Sequence, residues 1–166
     1  MSSSETDAAE LLNTQWRLDE AGLPRLPVDP IEIARSMGAE VYAAAMQEGS
    51  SGALVIRDGA STIYLNGSDS RDRQRFTAAH EVGHLVQHSN AGDLDVDHVD
   101  WRDDLAGSRG GPNEVYCNQF AAALLMPADV VKHMHAEGLT PSQMALRCGV
   151  SSQAINFRLK NLNIIR

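Results

Sequence analysis

D-S-R-D-R-Q-R-F-T-A-A-H-E-V-G-H-L-V-Q-H, residues 69–88, contains no proline and a single glycine. Its apolar positions Phe76, Ala79, Val82, Leu85 and Val86 recur at spacings of three and four. That period predicts one amphipathic helix. Asp69 or Ser68, following the Asn66-Gly67 turn signal, is the predicted N-cap. Gly83 costs such a helix about 1 kcal/mol relative to alanine. A small residue there leaves room for close packing or for a substrate.

The chemistry sits inside this helix, in His80-Glu81-Val82-Gly83-His84. Residues four apart lie one turn apart and about 40° apart around the axis. Both imidazoles can therefore reach a single ion. Glu81 stands beside them, where it can take a proton from a water. This is the H-E-x-x-H arrangement of zinc peptidases, two ligands and a general base in five residues. One His–Glu pair alone would read as a solvated face; two histidines, the glutamate and the helix together read as a metal site.

Catalytic zinc takes three protein ligands and keeps a position for water. His88 continues the spacing, but it lies about 80° around the helix from His80 and two turns along. It therefore reads as a supporting or surface residue. The metzincin pattern needs a histidine six residues past the second, where this chain has Asn90. Downstream, Gly110-Gly111-Pro112-Asn113 breaks the chain, and Glu114–Met126 predicts a second helix rich in Ala, Leu and Phe, stopped at Pro127. Glu114 in its first turn is the better candidate ligand, although an acid there also suits the helix dipole. Asn118 lies one turn on, on the same face. A buried asparagine needs partners, and orienting a metal ligand is one use for it.

Four blocks resemble the ImmA/IrrE family of metallopeptidases: P-V-D-P-I-E-I-A-R-S-M-G-A at 27–39, S-T-I-Y-L-N at 61–66, R-F-T-A-A-H-E-V-G-H at 75–84 and E-V-Y-C-N-Q-F-A-A-A-L-L-M-P at 114–127. The resemblance implies His80, His84 and Glu114 as zinc ligands and Glu81 as the catalytic base. It also implies a cytoplasmic endopeptidase that cleaves a partner XRE-type helix-turn-helix repressor and so relieves repression. A stress response, a mobile element or a toxin–antitoxin-like module would be its setting. Cys117 stands where the family usually has alanine. It reads as a small buried residue, with its thiol one turn from Glu114. A site of two histidines and one carboxylate also suits Mn2+ or Fe2+.

Length and charge agree with a protein of this kind. The chain has 166 residues and a net charge of −8. That length accommodates one core of ordinary size and a small appendage. No apolar run approaches the length that spans a bilayer. The polar N-terminus, residues 1–7, lacks the pattern of a signal peptide and reads as disordered. Cys117 and Cys148, without C-x-x-C spacing, fit a reduced compartment. Residues 138–166 carry Arg147, Arg158, Lys160 and Arg166 and no acid, which leaves −12 on the rest. An acidic body disfavours nucleic acid and suits a basic partner.

The order of elements predicts an α+β, zincin-like fold. Residues 8–22 form a first helix, and about 29–37 a second, with Asp29 as cap and Pro30 at its first position. Glu40–Met46, Gly52–Arg57 and Ser61–Asn66, separated by glycine-containing turns, predict a small, mostly antiparallel three-stranded sheet. An edge strand of such a sheet can take a substrate as an added strand. Residues 90–112 read as a long loop walling the cleft. Its acid-rich D-L-D-V-D-H-V-D-W-R-D-D lacks the EF-hand glycine at position six, which is His98, and the glutamate at twelve, which is Asp104. His98 and Trp101 are candidate substrate contacts. Tyr64, His98, Tyr116 and Arg109 are candidate stabilisers of a tetrahedral oxyanion.

The division expected is a disordered 1–7, a metallopeptidase domain at 8–136 and a helix-turn-helix-like segment at 137–166. In the last, Ala145, Gly149, Val150 and Ile155 take the usual positions and Ser151 starts the second helix. Arg158 falls where an apolar residue is expected, and Ser151, Ser152, Gln153 and Asn156 bring little basic density for phosphates. DNA binding by this segment is the weaker expectation. The rival to a peptidase is a non-catalytic regulatory module that binds a repressor or DNA through this segment.

Overall fold

The computed structural model describes residues 2–103 and 111–165. Their order is α1 (Ser3–Gln15), α2 (Pro30–Ser36), β1 (Glu40–Ala44), β2 (Ser50–Arg57), β3 (Ala60–Asn66), α3 (Arg71–Ala91), β4 (His98–Asp103), α4 (Pro112–Leu125), α5 (Ala128–Ala136), α6 (Pro141–Cys148) and α7 (Ser152–Asn161). The fold is mixed α and β, as the sequence predicts, but the sheet differs from expectation. It has four strands in the order β1-β3-β2-β4. β2 runs antiparallel to both β3 and β4, whereas β1 runs parallel to β3. The reason is that the tight β2–β3 hairpin turns about Asp58-Gly59, both with positive φ. β2 thus takes one side of β3 and leaves β1 the other.

Part of the expected 90–112 loop is therefore a strand. β4 pairs along β2 from His98 opposite Ile56 to Asp103 opposite Ser50, with a register shift between Ser50 and Gly52. Such a bulge turns a strand locally, and bulges favour barrel rims and the neighbourhood of active sites. Gly52 is needed there. A Cβ on it would lie 2.5 Å from Thr77 Cγ2 and 2.9 Å from the Tyr64 carbonyl oxygen. Without a side chain there, β2 comes close enough to α3 for the Thr77 methyl to pack against Gly52.

All the helices but α4 and α5 begin where a polar side chain accepts a free N–H group of the first turn. Asp29 caps α2, accepting from the amides of Ile31 and Glu32, and Pro30 follows at the first position. Ser70, one residue past the predicted cap, accepts from the Arg73 amide at the start of α3. Gly92 closes that helix with φ 71°, a left-handed geometry that glycine adopts without steric cost. Where disorder was expected over residues 1–7, helix α1 begins at Ser3. Ser2 caps α1, which ends at Gln15 and not at Gly22. Tertiary partners hold its start: Ser4 donates to Gln119 at 3.1 Å, Glu5 pairs with Arg158, and Asp7 accepts from the Tyr116 hydroxyl.

One cluster of buried side chains joins these elements. It takes Leu54, Ile56, Ile63 and Leu65 from the sheet, Val82 and Leu85 from α3, Phe120 and Leu124 from α4, and Met144, Ile155 and Leu159 from α6 and α7. The last two helices are joined through Gly149, at φ 65°, and two arginine side chains bonded to backbone carbonyls tie them to the rest of the chain. Arg75 on α3 donates to the carbonyls of Val28, Cys148 and Gly149 at 2.6, 3.2 and 2.9 Å. Arg158, only 4% exposed, donates from Nε to the Met126 carbonyl at 2.9 Å. The polar residue at an apolar position is thus a buried anchor. No helix among the described residues is long and apolar enough to cross a membrane.

Candidate metal centre

α3 and α4 pack directly against each other, and Gly83 sets their separation. A Cβ at Gly83 would meet Cys117 Cα and Phe120 Cδ1, each at 3.2 Å. Across this contact the first turn of α4 faces the histidine pair. His80 and His84 are 1% and 6% exposed, with ring centroids 5.0 Å apart. The Glu114 carboxylate spans them, with Oε2 3.3 Å from His80 Nε2 and Oε1 3.1 Å from His84 Nε2. Ligand atoms on a tetrahedral zinc with bonds of about 2.05 Å lie roughly 3.3 Å apart. The two gaps match that edge.

The opposite sides of the rings support the same reading. His80 Nδ1 lies 3.0 Å from Asn118 Oδ1. An amide oxygen only accepts, so Nδ1 carries the proton and the Nε2 lone pair points into the site. That Nε2 is buried and makes no hydrogen bond among the described residues, as suits an atom meant for a cation. Burial, and after it the neighbouring His80, holds the His84 pKa below its ordinary value. Neutral imidazole is the ligating form. The donor set therefore fits a zinc-type ion.

Glu81 is fully buried beside the pair. Its Oε1 is 3.5 Å from where a Gly52 Cβ would stand, so the bulged strand β2 floors the site. Cys117 is also fully buried, and its Sγ groups within 4.8 Å of ligand atoms of His80 and His84. The thiol donates to Gln87 Oε1 at 3.4 Å. Both Glu114, through its two carboxylate oxygens, and Cys117 thus stand within reach of the histidine pair.

Of the remaining candidates, His88 stands a turn beyond the pair. Its Nε2 is 2.9 Å from Asp100 Oδ2, and the same oxygen is 4.0 Å from His84 Nδ1. Asp100, on β4, escaped the sequence reading because only strand pairing brings it to α3. His98 stacks near His88 at 4.4 Å. Tyr116 donates its hydroxyl to Asp7 on α1. Burial, followed by that carboxylate, pushes its pKa far up. Tyr64 faces Tyr42 and lines a separate 560 Å³ cavity with Ala53 and Val55. Arg109 lies outside the described residues. A larger cleft of 880 Å³ runs from Glu114 and Asn118 along α4 to Gln153, Ala154 and Phe157 on α7.

Comparison with known proteins agrees with this geometry. The family model described as the IrrE N-terminal-like domain (Peptidase_M78) matches residues 34–160. The radiation response metalloproteases IrrE of Deinococcus radiodurans and Deinococcus deserti are 35% and 34% identical over 113 residues. Those residues are 62% of this chain but 33% and 39% of the relatives, so the chain spans little more than a third of their length. A solved Mycobacterium tuberculosis transcriptional regulator superposes with a TM-score of 0.66 at 15% identity, covering 96% of this chain and 47% of that one. At that identity the likeness is one of fold.

Proposed function

The chain belongs to the IrrE N-terminal-like family of peptidases, and from that premise we propose that it is a zinc-dependent endopeptidase acting in the cytoplasm on a partner XRE-type helix-turn-helix repressor. His80, His84 and Glu114 would hold the ion, and Glu81 would be the general base. The observation that carries this reading is the convergence of two buried Nε2 atoms on one carboxylate, with a buried glutamate alongside. A structural site needs ligands only; the adjacent buried Glu81 belongs to hydrolysis.

When bound, the metal supplies Lewis acidity, polarising the scissile carbonyl and lowering the pKa of water. Glu81 takes one proton from the attacking water as its oxygen bonds to the carbonyl carbon. It then hands that proton to the departing amide nitrogen as the C–N bond breaks, leaving a carboxylic acid and an amine. Asn118 keeps His80 in the Nδ1–H tautomer throughout. β4 is an edge strand whose Asp100 lies beside His84, so a substrate segment adding to this edge would pass the site in extended form. The cleft from Glu114 to α7 would hold the rest of the substrate. The acidic body suits a basic, DNA-binding partner.

Incubating the zinc-loaded chain with candidate XRE-type repressors and reading products by mass spectrometry tests this. The wild type cuts one exposed segment. Glu81→Gln keeps its zinc and loses roughly 10²–10⁴-fold in rate. Derepression that persists unchanged in Glu81→Gln would instead assign the chain to the second class, a regulatory binding module using α6 and α7.

A further inference from the structure

We infer that the chain holds a second divalent transition-metal ion, of the zinc type, between His88, Asp93 and His98, where the end of α3 meets β4. This inference does not depend on the catalytic reading. Ligand atoms of the three residues all lie within 4.8 Å of one another. His88 Nδ1 is 2.8 Å from Asp93 Oδ1, and His98 Nε2 is 3.9 Å from Asp93 Oδ2. These gaps bracket the roughly 3.3 Å edge of a tetrahedral site with bonds near 2.05 Å. Two imidazoles and one carboxylate are borderline donors. They suit zinc and its neighbours rather than calcium or magnesium, which prefer oxygen alone.

The cluster is held in place from three directions. Gly92 turns the chain at the end of α3, and the Asp93 amide donates back to the His88 carbonyl at 3.2 Å. That fixes the carboxylate beside the last turn. His98 is set by its place in β4, opposite Ile56. His88 Nε2 is occupied by Asp100 at 2.9 Å, a carboxylate–histidine arrangement that turns Nδ1 toward Asp93 Oδ1, 2.8 Å away, and raises its basicity for a metal between them. The two rings lie 4.4 Å apart at 45°. Two imidazolium ions at that separation would repel, whereas one shared cation accounts for both rings.

The competing explanation is a plain ion pair of His88 with its two carboxylates. It gives His98 no hydrogen bond to Asp93, since 3.9 Å is beyond one. His98 and Asp93 are about one-third exposed. That exposure admits an ion with water completing its shell and makes the site weaker than the buried one. Beside it, Asp100 adds negative charge that favours a cation.

The experiment is equilibrium dialysis of the full metal-free chain against excess Zn2+ alone, with folding checked by circular dichroism. Wild type is expected to take two equivalents. His98→Ala and the milder His98→Gln and Asp93→Asn each lose one of the two, while Glu114→Ala loses the other. Zn2+ should also raise the melting temperature less in His98→Gln than in wild type. A wild-type stoichiometry of one that Glu114→Ala abolishes overturns this inference and leaves the peptidase reading standing. A single equivalent abolished by His98→Ala supports the inference and overturns the ligand set proposed for catalysis. Unaltered uptake of both equivalents by His98→Ala and Asp93→Asn also overturns it.

Discussion

One helix carries two histidine sites that physics treats in opposite ways. His80 and His84 are sealed between α3, α4 and β2. His88, one turn on from His84, sits near the end of the helix between two carboxylates. Burial, then the like neighbour His80, depresses the His84 pKa. Burial also opposes charge on His88, but the hydrogen bonds to Asp100 and Asp93 outweigh it and raise the pKa. His84 is therefore presented in its neutral form. The outer histidine is presented as a cation until a metal displaces its proton. Residue type and spacing are the same; the depth of burial and the direct hydrogen bonds to carboxylates decide.

The comparison can be broken at its buried end first. Glu114→Ala removes the carboxylate common to both Nε2 atoms, and elemental analysis should show the tight zinc lost outright, with proteolysis lost in step. The His88 resonances should hardly move. If the tight ion remains, the third ligand is wrong. A smaller effect follows from Asn118→Ala, which frees the His80 tautomer. Removing such an outer partner costs about 10–100-fold in metal affinity, measurable by competition with a chromophoric chelator. An affinity equal to wild type would deny Asn118 its orienting role.

Packing supports the buried centre, so Gly52→Ala should reach it without any charge change. The new Cβ at 2.5 Å from Thr77 Cγ2 forces β2 and α3 apart, and overpacking of this kind costs about 1–3 kcal/mol. Chemical denaturation gives the cost, and a stability unchanged from wild type would mean the strand is freer than its contacts indicate. The smallest effect concerns the outer site. In metal-free protein the raised His88 pKa stabilises the fold fully below about pH 6.5. That contribution fades as pH rises through the folded value. Asp100→Asn should flatten the profile, by on the order of 1 kcal/mol or less. A profile identical to wild type would show that Asp100 does not hold the proton on His88.

Where the chain is legible by eye, local signals suffice. The periodicity of 69–88, the Asp29-Pro30 cap and the Gly-Gly-Pro break before Glu114 each act within a few residues, and the helices follow them closely. The convergence of His80, His84 and Glu114 was expected from the family resemblance, and the structure brings all three together. β4 was missed because its aspartates disfavour strands, and only the partner β2 makes it one. The parallel β1–β3 pairing likewise depends on where β2 goes. The start of α1 had a local clue: Ser2-Ser3-Ser4-Glu5 has the spacing of a capping box, and Ser2 does cap the helix. The partners that keep it in place, Gln119, Tyr116 and Arg158, are more than a hundred residues away.

Arg158 carries a further consequence. Its guanidinium, buried on α7, is held at once by the Met126 carbonyl through Nε and by Glu5 on α1 through Nη1. Neither helix can lift away without stranding a buried charge, a cost of several kcal/mol. Segments at opposite ends of the sequence thus form one cooperative opening unit. Their amide protons should exchange with deuterium at a common, slow rate, and Arg158→Leu should split that rate in two.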